Sequence, residues 1–317
     1  MALTPTGSDW PESIFVLRAL GLGDLLTAVP ALRGLRCAFP DAEITLATPQ
    51  PLHELAMLTG AVDVVVSIAG LGELAAAAAP PDLAVNLHGR GPESIADLRT
   101  LRPLRLLTHH HRRFPDLVGP SWQSECHEVD RWCQMLAWYG VTCAPDDLHL
   151  SVFRTSKHPG AVVIHPGASA MSRRWPVHRY VAVAARLHSL GLPVVITGSA
   201  RERALAEFVA ERAGLPANSV SAGRLSVTDL VAVINDARLL ICGDTGVAHI
   251  ATATATPSVL LFGPTPPSRW GPRSGGPHQV LWRGHTGDPH ASRPDAGLLD
   301  ISTADVLSAT EVALSQL

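Results

Sequence analysis

The strongest constraint on the fold is a repeated order of short apolar segments, each followed by a loop and a stretch with helical spacing. The segments that predict strands are 13–19, 43–47, 62–68, 83–87, 161–165, 193–197, 239–242 and 258–262. The stretches that predict helices are the residues after the loop 20–24 to about 38, then 177–190, 201–213, 228–235 and 303–314. Strands that alternate with helices pair in parallel, so this order predicts an α/β fold with two doubly wound sheets.

A chain of 317 residues is longer than one hydrophobic core usually supports, so two domains are expected. The turn-rich segment 144–160 separates the halves, and we place the domains at 1–155 and 156–317, with the final helix free to pack back on the N-terminal domain. Residues 108–127 are basic, His-rich and without period, which predicts a long loop. Helical spacing resumes in HEVDRWCQMLAWYG, where four apolar side chains share a face: Val129, Trp132, Met135 and Leu136.

Composition excludes several classes of partner. The net charge of −3 and the pI near 6.6 give no reason to expect nucleic acid. No apolar run approaches the roughly 20 residues that span a bilayer, and the N-terminus does not read as a signal peptide, so we expect a cytoplasmic protein with at most peripheral membrane contact. The five cysteines are odd in number and widely spaced, which favours free thiols. His109–His111 with His127 lack the spacing of metal ligands, so no metal is expected.

The segment RALGLGD at 18–24 follows the first predicted strand. Gly21 and Gly23 allow a tight turn and the close approach of a ligand. A dinucleotide-binding fingerprint would need a third glycine where Leu26 stands, which disfavours a Rossmann dehydrogenase. Asp24 fits two interpretations that the sequence leaves open: it caps the following helix, or its carboxylate projects from the loop to take a proton.

Three segments of the second half also follow predicted strands. Arg173 and Arg174 end the segment at 165–176, and paired guanidinium groups suit a diphosphate, although a solvated basic loop is the alternative. In CGDTGVAH at 242–249, Thr245 and Gly246 would present N–H groups at a helix N-terminus. A lone histidine on such a helix, as His249 is, is more often a packed core residue than a ligand. The Gly/Pro-dense stretch 261–272 either shapes a pocket or is a stiff crossover. Such segments meet at one sheet edge, where ligands bind.

Together these segments resemble glycosyltransferase family 9, the heptosyltransferase family. The matching pieces occur in the order of the family: RALGLGDLLTAVPAL, HEVDRWCQMLAWYG, HPGAS with RRWP, GDTGVAHIA and FGPTPPSRWGP. The resemblance implies the GT-B fold, in which two Rossmann-like domains face each other and the active site lies in the cleft between them. The N-terminal domain would bind the acceptor and the C-terminal domain the nucleotide sugar.

The resemblance also assigns roles to individual residues. Asp24 matches the proposed general base, and Arg173 stands where the family usually has a lysine that contacts the donor phosphate. The full set implied for the donor is Ser169, Arg173, Arg174, Glu202, Asp244, Thr245, Gly246 and His249, with Glu202 as the ribose ligand despite a difference in local spacing. The residues expected to bind the acceptor are Gly23, His88, Arg90, Arg112 and Arg113, for which solvated loops are the alternative.

The activity implied is inverting transfer of a heptosyl unit from ADP-heptose to an acceptor hydroxyl, without a cofactor or a metal. Two alternatives remain open. One keeps the fold but uses another nucleotide sugar, or a small-molecule acceptor of secondary metabolism instead of a glycan such as lipopolysaccharide. The other is a non-catalytic protein that binds sugar nucleotides. The excess of arginine over the single Lys157 favours a high-GC bacterial genome.

Overall fold

The chain divides into two compact units, Met1–Leu148 and His149–Leu317. A computed structural model describes residues 10–74, 79–273 and 276–316. The division falls a few residues before the boundary that we place at 155/156, within the stretch 139–161, which has no helix or strand. The expectation about a signal peptide concerns an N-terminus of which residues 1–9 lie outside the described ranges.

The first unit contains one parallel sheet with the order β3-β2-β1-β4-β5 among the described residues. Its strands are β1 (Ser13–Leu17), β2 (Glu43–Thr48), β3 (Val64–Ser67), β4 (Leu83–Asn86) and β5 (Arg105–Leu107). Its helices are α1 (Leu22–Thr27), α2 (Val29–Ala38), α3 (His53–Leu58), α4 (Glu93–Thr100) and α5 (Glu128–Trp138). The long loop predicted at 108–127 is confirmed, and so is the apolar face of α5, whose four side chains are buried.

The second unit repeats the arrangement, with the parallel order β10-β9-β8-β6-β7. Its strands are β6 (Val162–His165), β7 (Val194–Ile196), β8 (Leu239–Gly243), β9 (Ser258–Leu261) and β10 (His278–Leu281). Its helices are α6 (Val177–Ser189), α7 (Arg203–Arg212), α8 (Val227–Asn235), α9 (Gly246–Ala253), α10 (Pro267–Trp270), α11 (Ala296–Leu299) and α12 (Thr303–Ser315). The parallel α/β sheets predicted for both halves are therefore confirmed.

Burial explains why these strands form. Every residue of β4, β6, β8 and β9 is buried, as expected for parallel strands that helices cover on both faces. The final helix α12 packs on α6 and on β9 and β10, and its apolar side chains join the core of the second unit: Val306, Ala309 and Ala313. Within the described ranges, no helix is both long and apolar enough to cross a membrane.

The first helical region differs from the prediction. A loop was expected at 20–24, but α1 already begins at Leu22, after Gly21 in extended conformation. The helix then stops at Ala28 and α2 begins, with Pro30 in its first turn. Proline has no N–H to continue the hydrogen-bond ladder of α1, which accounts for the break. Because α1 begins at Leu22, Gly23 and Asp24 lie within the helix and not in the loop before it.

Strand order locates the ligand-binding positions of both sheets. In the first unit β1 lies between β2 and β4, so the order reverses between β1 and β4. In the second unit the order reverses between β6 and β8. Doubly wound sheets bind ligands beyond the carboxyl ends of the strands at such a reversal. The predicted segments at 18–24, 165–176 and 242–249 follow three of these four strands.

Candidate functional site

Asp24 lies in the first turn of α1, at the carboxyl end of β1. Its Oδ2 accepts a hydrogen bond from the Gly21 N–H at 3.1 Å, and its side chain is 29% exposed. The expected N-cap position is wrong: Gly21 is the cap residue, and Asp24 is the third helical residue, whose side chain reaches back to it. Capping and exposure thus coexist, because one carboxylate oxygen holds the turn while the group still reaches solvent.

A buried arginine, Arg18, contacts both the backbone and the side chain of Asp24. Arg18, only 1% exposed, donates from Nε to the Asp24 carbonyl oxygen at 2.9 Å, and its Nη2 lies 3.5 Å from Asp24 Oδ1. Its Nη1 donates to the Leu87 carbonyl oxygen at the end of β4. The guanidinium group therefore ties the loop after β1 to the neighbouring strand β4 and sets the position of the first turn of α1.

Glu128, the first residue of α5, balances the charge of Arg18. Its Oε1 accepts from Arg18 Nη2 at 3.1 Å and from Trp132 Nε1 at 2.9 Å, and its Oε2 accepts from Arg131 Nε at 3.0 Å. Burial opposes the charged form of Glu128, but the positive charge of Arg18 and the bonds from Arg131 outweigh it and lower its pKa. The Arg18 guanidinium also lies over the Trp132 ring, 4.8 Å from its centroid.

His88 follows β4 and shares the electrostatic environment of Asp24. Burial and the charge of Arg18 lower its pKa, while Asp24 opposes the shift. Its Nδ1 is buried and has no hydrogen-bond partner among the residues the structure describes. A half-buried neutral imidazole beside a carboxylate can accept or donate one hydrogen bond to a ligand hydroxyl.

The other residues expected to bind an acceptor lie in three separate segments. Arg90 is exposed after β4, and Arg112 and Arg113 are exposed in the loop 108–127. Within the described ranges, no hydrogen bond or ion pair links Arg112 or Arg113 to Asp24. Gly23 is buried inside α1.

In the second unit, Arg173 joins two of the predicted segments. Its Nη2 donates to Ser169 Oγ within its own loop, and its Nη1 donates to the Asp244 carbonyl oxygen after β8 at 3.3 Å. Its Nε is buried and unpartnered among the described residues. Arg174 bonds within its own loop, donating from Nε to the Ala168 carbonyl oxygen at 2.8 Å. The two guanidinium groups are therefore not equivalent, and Arg173 is the one at the strand-order reversal.

Glu202 reaches the same loop from the turn after β7. Its Oε2 accepts from the N–H and the Oγ of Ser199, both at 2.8 Å, and these bonds lower its pKa against the opposing effect of burial. Its Oε1 lies against Gly167, where an added Cβ would stand 2.1 Å away. Only glycine at residue 167 permits this approach. The structure thus brings Glu202 to the HPG segment in spite of its unusual spacing.

Asp244 is a buried carboxyl group at the end of β8. Burial raises its pKa to about 6, although Arg173 and a hydrogen bond with the Thr265 hydroxyl oppose the shift. Thr265 belongs to the Gly/Pro-dense stretch after β9. The group therefore changes charge close to neutral pH, at the contact of three strand-end segments.

The N-terminus of α9 completes this cluster. Thr245 caps the helix, with its Oγ1 accepting from the Val247 N–H at 3.4 Å. His249 lies one turn further, and its ring meets Trp270 edge-on with 5.8 Å between centroids. Trp270 lies in α10, so the stretch 261–272 contacts the site through Thr265 and Trp270. The structure thus brings Ser169, Arg173, Asp244, Thr245 and His249 into adjoining loops of one sheet edge.

Four residues of these clusters were missed from the sequence: Arg18, Glu128, Thr265 and Trp270. Arg18 carried a usable signal, since an arginine at the end of an apolar strand is buried and must be paired. Nothing in the sequence identifies its partner Glu128, which is 110 positions away. Within the described part of the chain, no three His, Cys, Asp or Glu side chains are grouped as metal ligands would be.

Comparison with known proteins gives a family match. The sequence profile of glycosyltransferase family 9 (heptosyltransferase) matches residues 126–294, more than half of the chain. Lipopolysaccharide heptosyltransferase 3 of Escherichia coli is 33% identical over 159 residues, which are 48% of this chain and 46% of that protein. The alignment thus spans less than half the length of this curated relative.

Solved structures extend the likeness to nearly the whole fold. A family 9 glycosyl transferase from Veillonella parvula matches with a TM-score of 0.81 at 22% identity, covering 96% of this chain and 98% of that one. The ADP-heptose lipopolysaccharide heptosyltransferase II of Escherichia coli matches with a TM-score of 0.78 at 20% identity, covering 96% and 99%. At such identities the likeness concerns the fold, and it confirms the predicted GT-B class.

Proposed function

We propose that this chain, which belongs to glycosyltransferase family 9, transfers a glycosyl unit from a nucleoside diphosphate sugar to an acceptor hydroxyl. The observation that carries the proposal is the cluster of Arg173, Asp244 and the α9 N-terminus beyond β6 and β8. A guanidinium group and the N–H groups at a helix N-terminus are the donors that bind a diphosphate. Among the donor residues that we assign, Arg173 and Thr245–Gly246 bind phosphate, and Glu202 binds the ribose.

ADP-heptose is the donor that we propose. The Escherichia coli protein with the same fold is described as an ADP-heptose lipopolysaccharide heptosyltransferase, and the curated relative is named as a lipopolysaccharide heptosyltransferase. We also propose that the acceptor is a glycan, in keeping with the lipopolysaccharide named for these relatives, and that the protein is cytoplasmic. A small-molecule acceptor is the competing assignment.

The reaction that we propose is a direct displacement that inverts the anomeric centre. Asp24 takes the proton of the acceptor hydroxyl as its oxygen forms the new bond to the anomeric carbon. The bond between that carbon and the diphosphate oxygen breaks, and the nucleoside diphosphate leaves with the electron pair. General-base assistance contributes about 10²–10⁴-fold, and preorganised donors at the leaving group contribute through charge stabilisation.

The surroundings of Asp24, His88 and Arg173 support the roles that we propose for them. Asp24 is held by Gly21 and Arg18 and stays partly exposed, as a base that receives a proton from a bound acceptor must be. His88 follows β4 and interacts electrostatically with Asp24, and we assign it to orienting the acceptor hydroxyl. Arg173 adds positive charge where the leaving diphosphate forms.

A thermal-shift panel tests the donor. ADP, UDP, GDP, TDP and ADP-heptose are each added to the purified chain. A ligand at 100 times its dissociation constant stabilises the fold by about 2.7 kcal/mol. We expect ADP and ADP-heptose to raise the melting temperature and the other nucleotides to have little effect. Stabilisation by UDP or TDP without ADP contradicts the ADP-heptose assignment, and no response to any nucleotide contradicts sugar-nucleotide binding altogether.

A further inference from the structure

Two of the five cysteines of the chain are neighbours in the first unit. All five are free thiols in the structure, and a hydrogen bond joins the side chains of Cys133 and Cys143. Cys133 lies in the middle of α5 and is 5% exposed, whereas Cys143 lies in the segment after α5 and is half-buried. The function that we propose for the chain uses neither thiol.

The chain reverses direction after α5, and this reversal brings Cys143 back beside Cys133. Gly140 has a positive φ of 93°, as is usual for the residue that ends a helix. The next residue, Val141, donates from its N–H to the Leu136 carbonyl oxygen at 3.0 Å. The residues that follow the turn therefore begin alongside the last turn of α5, on the way back to the middle of the helix.

Contacts with α2 hold Cys143 in this position. A Cβ on Gly34 of α2 would stand 2.6 Å from Cys143 Sγ and 3.0 Å from the Thr142 carbonyl oxygen, so a side chain there would displace the thiol. Further along the same segment, Asp147 forms an ion pair with Arg33, the residue before Gly34. The segment that contains Cys143 is therefore attached to α5 at its start and to α2 at its end.

The two thiols differ in what reaches them. The hydrogen bond with Cys133 lowers the pKa of Cys143, against the opposing effect of burial. The thiolate is the form of cysteine that reacts with an oxidant, and susceptibility rises with exposure. Cys143 therefore has the features of the thiol that reacts first. Cys133, which is buried and in contact with it, has those of the thiol that completes a disulfide.

The other three cysteines have different surroundings. Cys242 is completely buried, and burial raises the pKa of its thiol. Burial also raises the pKa of Cys126, whose Sγ lies 3.7 Å from Gln134 Oε1. Cys37 is exposed on α2. In the part of the chain that the structure describes, no hydrogen bond joins any of these three thiols to another thiol.

We propose that Cys133 and Cys143 are a site of oxidation by peroxides, at which the two thiols form a reversible disulfide. The Cys143 thiolate attacks one oxygen of hydrogen peroxide, the O–O bond breaks, and the products are a sulfenic acid and water. The Cys133 sulfur then attacks the Cys143 sulfur, the S–O bond breaks, and a second water leaves with the Cys133 proton. Two electrons pass from the two thiols to one peroxide molecule.

A disulfide of this kind is transient in a reducing compartment, where a dithiol reductant returns both thiols. This chemistry is independent of glycosyl transfer, so it holds whether or not the proposed function does.

Peptide mapping of the full chain tests the site. The reduced protein is treated with a small excess of hydrogen peroxide, its remaining thiols are alkylated, and it is digested with trypsin. Because no lysine or arginine lies between Arg131 and Arg154, both cysteines fall in the peptide 132–154, and each of the other three falls in a different peptide. We expect the peptide 132–154 to lose two hydrogens and to escape alkylation, at least roughly tenfold faster than Cys37 loses its free thiol. Dithiothreitol should reverse the change.

Three variants assign the roles of the thiols. Cys143→Ser should leave Cys133 reduced, because the buried thiol no longer has a reacting neighbour. Cys133→Ser should leave a sulfenic acid on Cys143, which dimedone traps in the peptide 132–154. Cys37→Ser is the matched control and should form the disulfide at the wild-type rate. If Cys133→Ser fails to fold, the wild type and Cys143→Ser decide the test.

Three results overturn the proposal. In the first, both cysteines of the peptide 132–154 are still alkylated when Cys37 has lost its free thiol. In the second, Cys143 is recovered as a sulfinic acid and no disulfide forms. In the third, a disulfide links Cys133 or Cys143 to one of the other three cysteines.

Discussion

At the scale of single residues, Arg18 is the centre of the first unit's cluster. Its charge is shared between Glu128, in direct contact at 3.1 Å, and Asp24, whose Oδ1 is 3.5 Å away. Glu128 is also bonded to Arg131, so two buried cations and two carboxylates balance. Removing one carboxylate leaves buried positive charge without compensation, which costs more than the pair contributes when intact.

Glu128→Gln should therefore lower the free energy of unfolding by about 3–5 kcal/mol. Urea denaturation with fluorescence detection measures the change. The matched control is Asp116→Asn, which breaks the exposed ion pair with Arg99 and should cost at most about 1 kcal/mol. Equal effects of the two substitutions would show that the buried network is not a structural element of the unit.

Asp244 makes the stability of the free protein depend on pH. Because its pKa in the folded state is raised to about 6 from 3.8, the folded state holds the proton more tightly than the unfolded state. This stabilising contribution is complete below pH 3.8 and is lost as pH rises to about 6. Two pKa units correspond to roughly 3 kcal/mol.

Asp244→Asn removes this titration. Relative to the wild type, the melting temperature of the variant should rise as pH increases from about 4 to 7. Differential scanning calorimetry across this range provides the measurement. A constant difference between the two proteins from acid to neutral pH would mean that the buried carboxyl does not titrate in this window.

At the scale of elements, the strand-end loops of the second unit depend on close backbone approach. Gly167 shows this most clearly, since an added Cβ would stand 2.1 Å from Glu202 Oε1. Glu202 is itself fixed by two bonds from Ser199. An alanine at residue 167 must therefore displace either the HPG loop or the carboxylate.

Gly167→Ala should weaken ADP binding at least roughly tenfold and destabilise the unit by about 1–3 kcal/mol. Titration calorimetry and thermal melts report the two effects. Gly70→Ala serves as a matched control, because nothing lies within 4 Å of the position of its Cβ. Combining Gly167→Ala with Glu202→Ala should restore much of the stability, and an unchanged melt of the single variant would contradict the assigned contact.

The elements that the sequence predicts correctly are those with long apolar signals. The strands that lie where the apolar runs occur are β1, β2, β3, β4, β6, β7, β8 and β9, and the helices that lie where helical spacing occurs are α5, α6, α7, α8 and α12. Strand β5 was not predicted, because it has only three residues, of which Arg105 is exposed, Leu106 is partly exposed and Leu107 is buried. Strand β10 is equally weak, with partly exposed residues throughout. Such edge strands form because the backbone of a neighbouring strand is available for pairing. The local sequence does not predict this pairing.

The candidate site follows the same division. The loops after β1, β6 and β8 were predicted from glycines, arginines and strand position. The Arg18–Glu128 pair and the Asp244–Thr265 contact depend on which distant segments meet. Asp24 shows the limit within one turn, because a shift of the helix start by three residues, to Leu22, changed it from the cap to the third helical position.

At the scale of the whole molecule, we propose that the second unit binds the donor and that the first unit provides the general base. The donor cluster is built entirely from the second unit, and the Asp24 cluster entirely from the first. Hydrogen exchange with and without ADP should therefore show protection in the loops 165–176, 198–203 and 243–249. The segment 18–28 should change little with ADP alone. Protection confined to the first unit would contradict the assignment of the donor site.

Asp24→Asn tests the central claim most directly. The asparagine can still accept from the Gly21 N–H, so the turn is kept while the base is removed. The measurement is ADP-heptose affinity together with release of ADP in the presence of a heptose-deficient core oligosaccharide, for the wild type and the variant. The account predicts unchanged affinity and a rate that falls by about 10²–10⁴-fold. Full activity of Asp24→Asn would contradict it.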